Sequence, residues 1–278
     1  MMLLPLTSPL ISVITACLNA AEFIEQTIQS VLSQTYPQIE YIIIDGASTD
    51  GTVDIIRKYE SRLAYWHSKP DRGLAHAFNL GLAQAHGDWI LYLNADDYFV
   101  DSSVVERMVS SLTRFSEADV VYGQIALIPR NGLPTGTHPI IFGGPWRWER
   151  FRFVCMLPHQ SAFTRRQYFE REGSFYEGIR IAVDYEHYLR AGPKLKAIFV
   201  PQVVSAMRLG GIGHKYRWRS LKEWQDAQIL NQVAPVWLIR LNYLSRWLWL
   251  MSQRLFPGLM KKFNIHQEYL DFSKKPGL

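Results

Sequence analysis

The stretch YIIIDGASTDGT (41–52) starts as a run of bulky β-formers and ends among carboxylates and glycines. Ile42, Ile43 and Ile44 place apolar side chains on both faces of an extended chain, the pattern of a strand buried on both sides. Burying a lone carboxylate is costly, so Asp45 is expected at the mouth of a sheet with a partner. The flanking sequence has to supply both the sheet and the partner.

Upstream, LISVITACLN (10–19) reads as a buried first strand. Asn19 is placed to cap a helix over 20–34, where Phe23, Ile24, Ile28, Val31 and Leu32 fall near helical spacing. Pro37 ends that helix, and IEYIIID (39–45) is the second strand. Helices then follow over 52–60, 73–85 and 102–115, and strands over 63–69, 88–97 and 118–128. Asp50 and Thr52 stand near the start of the first of these helices, where Asp50 suits a capping role as well as a ligand-facing one. This alternation predicts an α/β fold, an open, mostly parallel sheet flanked by helices. Ligands of such sheets sit outside the carboxyl ends of the strands. Asp45 and the pair Asp96–Asp97 both fall there. Past residue 129 the regularity breaks. PRNGLPTGTHPIIFGGPW (129–146) is rich in Pro and Gly and reads as a loop, AIFVPQVVSAMRL (197–209) is a late strand, and from Trp218 the chain reads as predominantly helical.

The 278 residues are 48% hydrophobic and 20% charged, enough for one large α/β domain with an appendage. A net charge of +5 is mildly basic. No basic stripe or module signature of a nucleic-acid binder accompanies it, so nucleic acid is not an expected partner. Cys17 and Cys155 lie in no CxxC-type spacing, which argues against a zinc site or disulfide framework and for a reducing compartment. The start, MMLLPLTSPL, lacks a basic n-region and holds two prolines, a poor signal peptide. No run of 18 apolar residues marks a membrane span. A cytoplasmic enzyme is the expectation.

The segment 10–52, together with DRGLAHAFNLGLAQAHGDWILYLNADD (71–97), resembles the family 2 glycosyltransferases, inverting enzymes with the GT-A fold. The resemblance is close over about 10–130 and looser to about 210. It implies a GT-A catalytic domain over 1–217, with a nucleotide-sugar half at about 10–130 and an acceptor half at about 131–217. A C-terminal helical region, 218–278, would follow. The implied reaction is sugar transfer from a nucleoside-diphosphate sugar to a saccharide or lipid-linked acceptor, with cell-surface polysaccharide synthesis as the family's habitual setting.

A nucleotide-sugar presents a base with N–H donors, for which Asp45 is a fitting acceptor. The resemblance makes Thr15 base-proximal and Asp71 nucleotide-facing, with Arg72 able to assist electrostatically. NADD (94–97) is similar to the family's DxD motif. Pyrophosphate does not approach bare carboxylates, so a divalent cation has to lie between, and oxygen ligands suit Mg²⁺ or Mn²⁺. Asp97 is assigned to the metal and Asp96 to the metal, the ribose or a bridging water, with the reverse order equally compatible. Asp184 matches the family's catalytic base, Glu186 is the fallback, and His159–Gln160 matches a pair near the acceptor pocket. LGGIGHKYR (209–217) is suited to closing over a diphosphate with His214, Lys215 and Arg217, and His214 can complete the metal shell. Trp146 and Trp148 can stack on sugars or simply pack.

Trp237, Leu241, Leu244, Leu248, Met251 and Leu255 recur at steps of four and three, an apolar helical stripe with arginines interleaved. Such a helix over 236–262 suits a membrane surface, making the enzyme peripheral on the inner face of the cell membrane, and it equally suits packing on the domain or on a second copy in a homodimer. Two rival functions stand beside the transferase. A nucleotidyltransferase calls for a Gly-rich, lysine-bearing loop after strand one, which TACLNAAEF lacks. A non-catalytic nucleotide-sugar-binding module would have no base. No GxGxxG opens the first helix, which disfavours a dinucleotide oxidoreductase.

Overall fold

The computed structural model describes residues 8–133 and 136–255, with side chains through 252. The first seven residues, and the 256–262 part of the expected membrane helix with all that follows it, lie outside the described residues.

Nine strands form one sheet: β1 (Ile11–Cys17), β2 (Ile39–Asp45), β3 (Tyr65–Ser68), β4 (Trp89–Tyr92), β5 (Tyr98–Phe99), β6 (Val120–Ile128), β7 (Ile140–Phe142), β8 (Ala162–Arg165) and β9 (Ala197–Arg208). Their order is β3-β2-β1-β4-β8-β6-β9-β5, with β7 added on β6. The helices are α1 (Ile24–Leu32), α2 (Thr52–Arg57), α3 (Leu74–Gln84), α4 (Val104–Arg114), α5 (Trp148–Phe151), α6 (Arg166–Glu172), α7 (Val183–Arg190), α8 (Ile212–Lys215), α9 (Arg217–Leu230) and α10 (Val236–Leu255).

The isoleucine run behaves as its pattern dictates. Ile42 and Ile44 join the core that holds Phe78 of α3, while Ile43 joins the opposite core with Ile24 and Ile28 of α1 and Met108 of α4. All three are fully buried, each contributing about 1.5–3 kcal/mol. Helices thus cover both faces, as a parallel sheet requires.

The first half of the sheet matches the expected parallel pattern: β1 pairs in parallel with β2 and β4, and β2 with β3. The second half does not. β8 enters antiparallel between β4 and β6, and β5 and β7 are also antiparallel to their partners. The sheet is mixed: β6 and β9 still pair in parallel, while β5, β7 and β8 are strands of two to four residues whose period is too brief to show in sequence. The strand expected over 88–97 ends at Tyr92. NADD leaves the sheet in a turn closed by the Asp97 amide donating to the Asn94 carbonyl (3.0 Å).

Asn19 is not a helix cap. It adopts φ 51°, and its side-chain oxygen accepts the Thr49 amide (3.0 Å). The turn after β1 is thereby stitched to the turn after β2. Asp50 accepts from the Thr52 amide and hydroxyl at the start of α2 and from the Ala21 amide.

Candidate active site

In register, Cys17, Asp45 and Ser68 stand side by side at the carboxyl ends of β1, β2 and β3. Asp96 and Asp97 follow the same end of β4, so the acids from separate strands converge on one rim.

Asp45 is fully buried, and its partners come from the chain. One oxygen accepts the Ser48 hydroxyl (2.5 Å) and the Cys17 thiol (3.4 Å); the other accepts the Ser48 amide (2.9 Å) and the Ser68 hydroxyl (2.6 Å). Burial, reinforced by the charge of Asp45, pushes the Cys17 thiol far up, so it remains a donor. The outside partner sought for Asp45 is therefore not needed to offset its burial; two serines, an amide and a thiol fill its lone pairs. A base would reach it by displacing a serine. Asp71 lies against this turn: a Cβ on Gly46 would fall 2.6 Å from its Oδ2. Its other oxygen accepts the Gly73 amide (2.7 Å) ahead of α3.

Two expected nucleotide contacts are engaged elsewhere. Thr15 is two residues short of the strand end, fully buried, with its hydroxyl bonded to that of Tyr41 (3.0 Å). Arg72 forms a two-pronged ion pair with Glu177 (2.9 and 3.0 Å), since the loop before α7 folds over the start of α3.

Asp97 is 1% exposed. Its oxygens accept the Arg208 amide and the Asn94 side-chain amide, both at 3.1 Å. Burial, then the neighbouring charge of Asp96, pushes its pKa up to about 7. Asp96 is raised too, again by burial first. Arg208, from the end of β9, holds the pair. Its guanidinium donates to the carbonyls of Asp96 (2.5 Å) and Arg130 (3.2 Å) and to Gln26 (2.5 Å), and lies over the Phe23 ring.

Two elevated carboxylates side by side describe a site short of positive charge. Among the described residues no group of three or more His, Cys, Asp or Glu side chains is placed to hold a metal. His214 is accordingly not gathered with Asp96 and Asp97; it sits in α8, its Nε2 buried without a partner. The pair fits a hard cation of the Mg²⁺ or Mn²⁺ kind, which binds through one or two carboxylates and takes its other oxygens from phosphate and water.

From Asp97 a hydrogen-bonded chain leads on. The Asn94 side-chain amide donates to Asp97 and meets His159 Nε2 (3.2 Å), and His159 Nδ1 meets Asp184 (3.0 Å). With Asn94 as donor, His159 carries its proton on Nδ1 and gives it to Asp184. Burial opposes charging His159, but the Asp184 carboxylate, then Asp97 and Asp96, outweigh it, and its pKa is raised. Burial likewise opposes ionising Asp184, and the charge and hydrogen bond of His159 outweigh it, so its pKa is lowered. Asp184 is the second residue of α7 and makes this bond rather than capping the helix. Glu186, the fallback base, is 2% exposed and paired with Arg190 (2.6 and 3.0 Å).

Sequence reasoning missed Arg208, Asn94 and Glu223. Glu223 Oε2, on α9, accepts the amides of Arg180 (3.1 Å), Ile181 (2.6 Å) and Ala182 (3.2 Å) just before α7. The Glu four residues after Arg219 was a visible helical pair; its reach to α7 was not. Trp146 meets buried Phe151 at a tilt (centroids 4.7 Å apart), and with Trp148 it packs on the core.

This sheet order, with acids converging at its rim, is that of a GT-A-type α/β fold. The glycosyl transferase family 2 model matches residues 12–183, and the chain belongs to that family: it is a glycosyltransferase. A PGL/p-HBAD biosynthesis glycosyltransferase of Mycobacterium tuberculosis is 27% identical over 215 residues, 75% of this chain and 81% of that protein. The putative teichuronic acid biosynthesis glycosyltransferase TuaG of Bacillus subtilis is 44% identical over 109 residues, 38% of this chain and 43% of that protein. The mannosyltransferase PcManGT of Pyrobaculum calidifontis, solved with GDP-Man and Mn²⁺, shares the fold with a TM-score of 0.60 at 18% identity, covering 96% of this chain and 88% of that one.

Proposed function

We propose that this glycosyltransferase is inverting and metal-dependent, moving a sugar from a nucleoside-diphosphate sugar to a saccharide or lipid-linked acceptor in cell-surface polysaccharide synthesis. The continuous chain from Asp97 through Asn94 and His159 to Asp184 carries the reading, because it ties the acids suited to a donor diphosphate to a carboxylate suited to an acceptor. The names of the two bacterial relatives support the setting.

Asp184 takes the acceptor hydroxyl proton as that oxygen attacks the anomeric carbon. His159 orients it and, when charged, keeps it ionised in a buried place. Asp96 and Asp97 would hold Mn²⁺ or Mg²⁺, which neutralises the diphosphate as the glycosidic bond breaks. Asp97 is the fixed member, both oxygens already steered, and Asp96 the more open one. Asp45 and Asp71 border the base pocket, with Ser48 or Ser68 yielding to the base.

No described helix is long and apolar enough to cross a membrane. The stripe on α10 faces outward, with Trp237 68% and Leu248 54% exposed. It supports seating on the inner membrane surface. Liposome sedimentation of the full chain tests this, and a stripe-dependent dimer with no pelleting would replace it. For the reaction, a thermal-shift panel of UDP-, GDP- and dTDP-sugars with Mn²⁺ should show stabilisation by one of them. Asp184→Asn should keep that shift and lose transfer by about 100-fold or more. Stabilisation by none, or full turnover in the variant, would refute the assignment.

A further inference from the structure

A cavity of about 470 Å³ opens between α9 and α10, lined by Leu221, Trp224, Trp249 and Leu250 and, at its polar part, Arg217, Ser220 and Arg246. Its size suits a ligand rather than trapped water. The wall is mostly apolar, yet it carries two guanidinium groups that no carboxylate among the described residues pairs. Arg246 lies over the Trp224 ring (5.2 Å) as its aromatic contact. Burial lowers its pKa, the mark of a cation held with too little counter-charge.

The cavity adjoins the reaction rim on two sides. A Cβ on Gly211 would stand 4.0 Å from Asp96 Oδ2, and Gly213, two residues on, lines the cavity. Trp224 meets the Tyr185 ring at 5.6 Å, and Tyr185 follows Asp184. The cavity wall is thus joined through Gly211 to the neighbourhood of Asp96 and through Tyr185 to α7, which carries Asp184.

We propose that this cavity seats the apolar chain of a lipid-linked acceptor whose phosphate pairs with Arg217 and Arg246. The inference rests on the transferase reading above and adds the acceptor's class, an amphiphile with an anionic head. The apolar wall takes hydrocarbon, and the two arginines bind phosphate bidentately. The sugar beyond that phosphate is carried toward Asp184.

Tryptophan fluorescence of the full chain, titrated below micelle formation, tests it with dodecyl phosphate, dodecanol and inorganic phosphate. Dodecyl phosphate should bind saturably, dodecanol about tenfold more weakly, and inorganic phosphate should not displace the amphiphile. Arg246→Gln should weaken dodecyl phosphate about tenfold and leave dodecanol unchanged. Arg217→Gln, at an exposed position whose loss does not threaten folding, should do the same. Equal binding of alcohol and phosphate, unchanged binding in Arg217→Gln, or displacement by inorganic phosphate would each overturn the proposal. A nucleotide-sugar thermal shift of the wild type is run in parallel. If it is present while the amphiphile fails, only the cavity assignment falls; if it is absent, the proposed donor site falls.

Discussion

Replacing Glu223 with alanine should loosen the start of α7, and with it Asp184, without touching that carboxylate. One carboxylate oxygen accepts three consecutive amides at the entrance of α7, and the other takes Arg219 Nε (2.8 Å). The residue is 7% exposed, so water does not replace it freely. Stripping it leaves three amide donors short of an acceptor, a loss of about 3–5 kcal/mol by the measure of broken buried charge networks. At about 2–4 °C per kcal/mol for a chain of this size, the melting midpoint should drop by roughly 6–20 °C. Glu223→Gln keeps one acceptor oxygen and should lose about half as much. Burial works to raise the Glu223 pKa, but Arg219 and the amides outweigh it and hold it low. A lowered carboxylate stabilises the fold above its unfolded value and stops doing so as pH falls through its folded one. The gap between wild type and Glu223→Gln should therefore close in acid. Calorimetry gives the midpoints, and hydrogen exchange at Ile181 and Ala182 should accelerate. An alanine variant melting within about 2 °C of wild type, with those amides still protected, would refute the reasoning.

Glu186→Gln breaks a buried ion pair with Arg190 and should cost about 3 kcal/mol or more, while the folded enzyme turns over normally; a selective loss of turnover would return Glu186 to candidacy as base. Asp97 is lifted to about 7, above an unfolded aspartate near 3.9. The ligand-free fold should therefore lose stability as pH rises from about 4 to 7, and Asp97→Asn should flatten that slope and abolish the Mn²⁺ shift; a slope kept in the variant refutes the assignment. His159 is raised, so its contribution is present below its unfolded value and fades as pH climbs through its folded one. Asp184→Asn should then destabilise more at pH 6 than at pH 9, and the NMR midpoint of His159 should fall; a wild-type midpoint under about 6.5 counters this.

The parallel half of the sheet was legible because β1, β2 and β4 are apolar runs separated by helical periods, each long enough to carry a pattern. That same regularity put Asp45 and Asp96–Asp97 at one edge before any coordinates. The antiparallel strands were hidden: β8 has four residues and β5 two, too few for a period to register. Asp45 was singled out for the right reason, its burial, but Ser48 and Ser68 answer it from nearby turns that look like ordinary polar loop. Thr15 and Arg72 were placed by position in a motif. Their actual partners, Tyr41 and Glu177, depend on side-chain direction and on a fold-over 105 residues away. Arg208 and Glu223 act on main-chain groups across 112 and 41–43 residues, and a contact with backbone leaves no complementary residue type to find.

The guanidinium of Arg208 gives the molecule an order of completion. Asp96 and Asp97 are laid down before residue 100, but the tether that joins them to α1 and to the turn at residue 130 arrives with the last residue of β9. A polypeptide emerging from its N-terminus therefore carries this acidic turn untethered until Arg208 has been added. On the proposed donor site, no C-terminal truncation that ends before that arginine should show the nucleotide-sugar thermal shift.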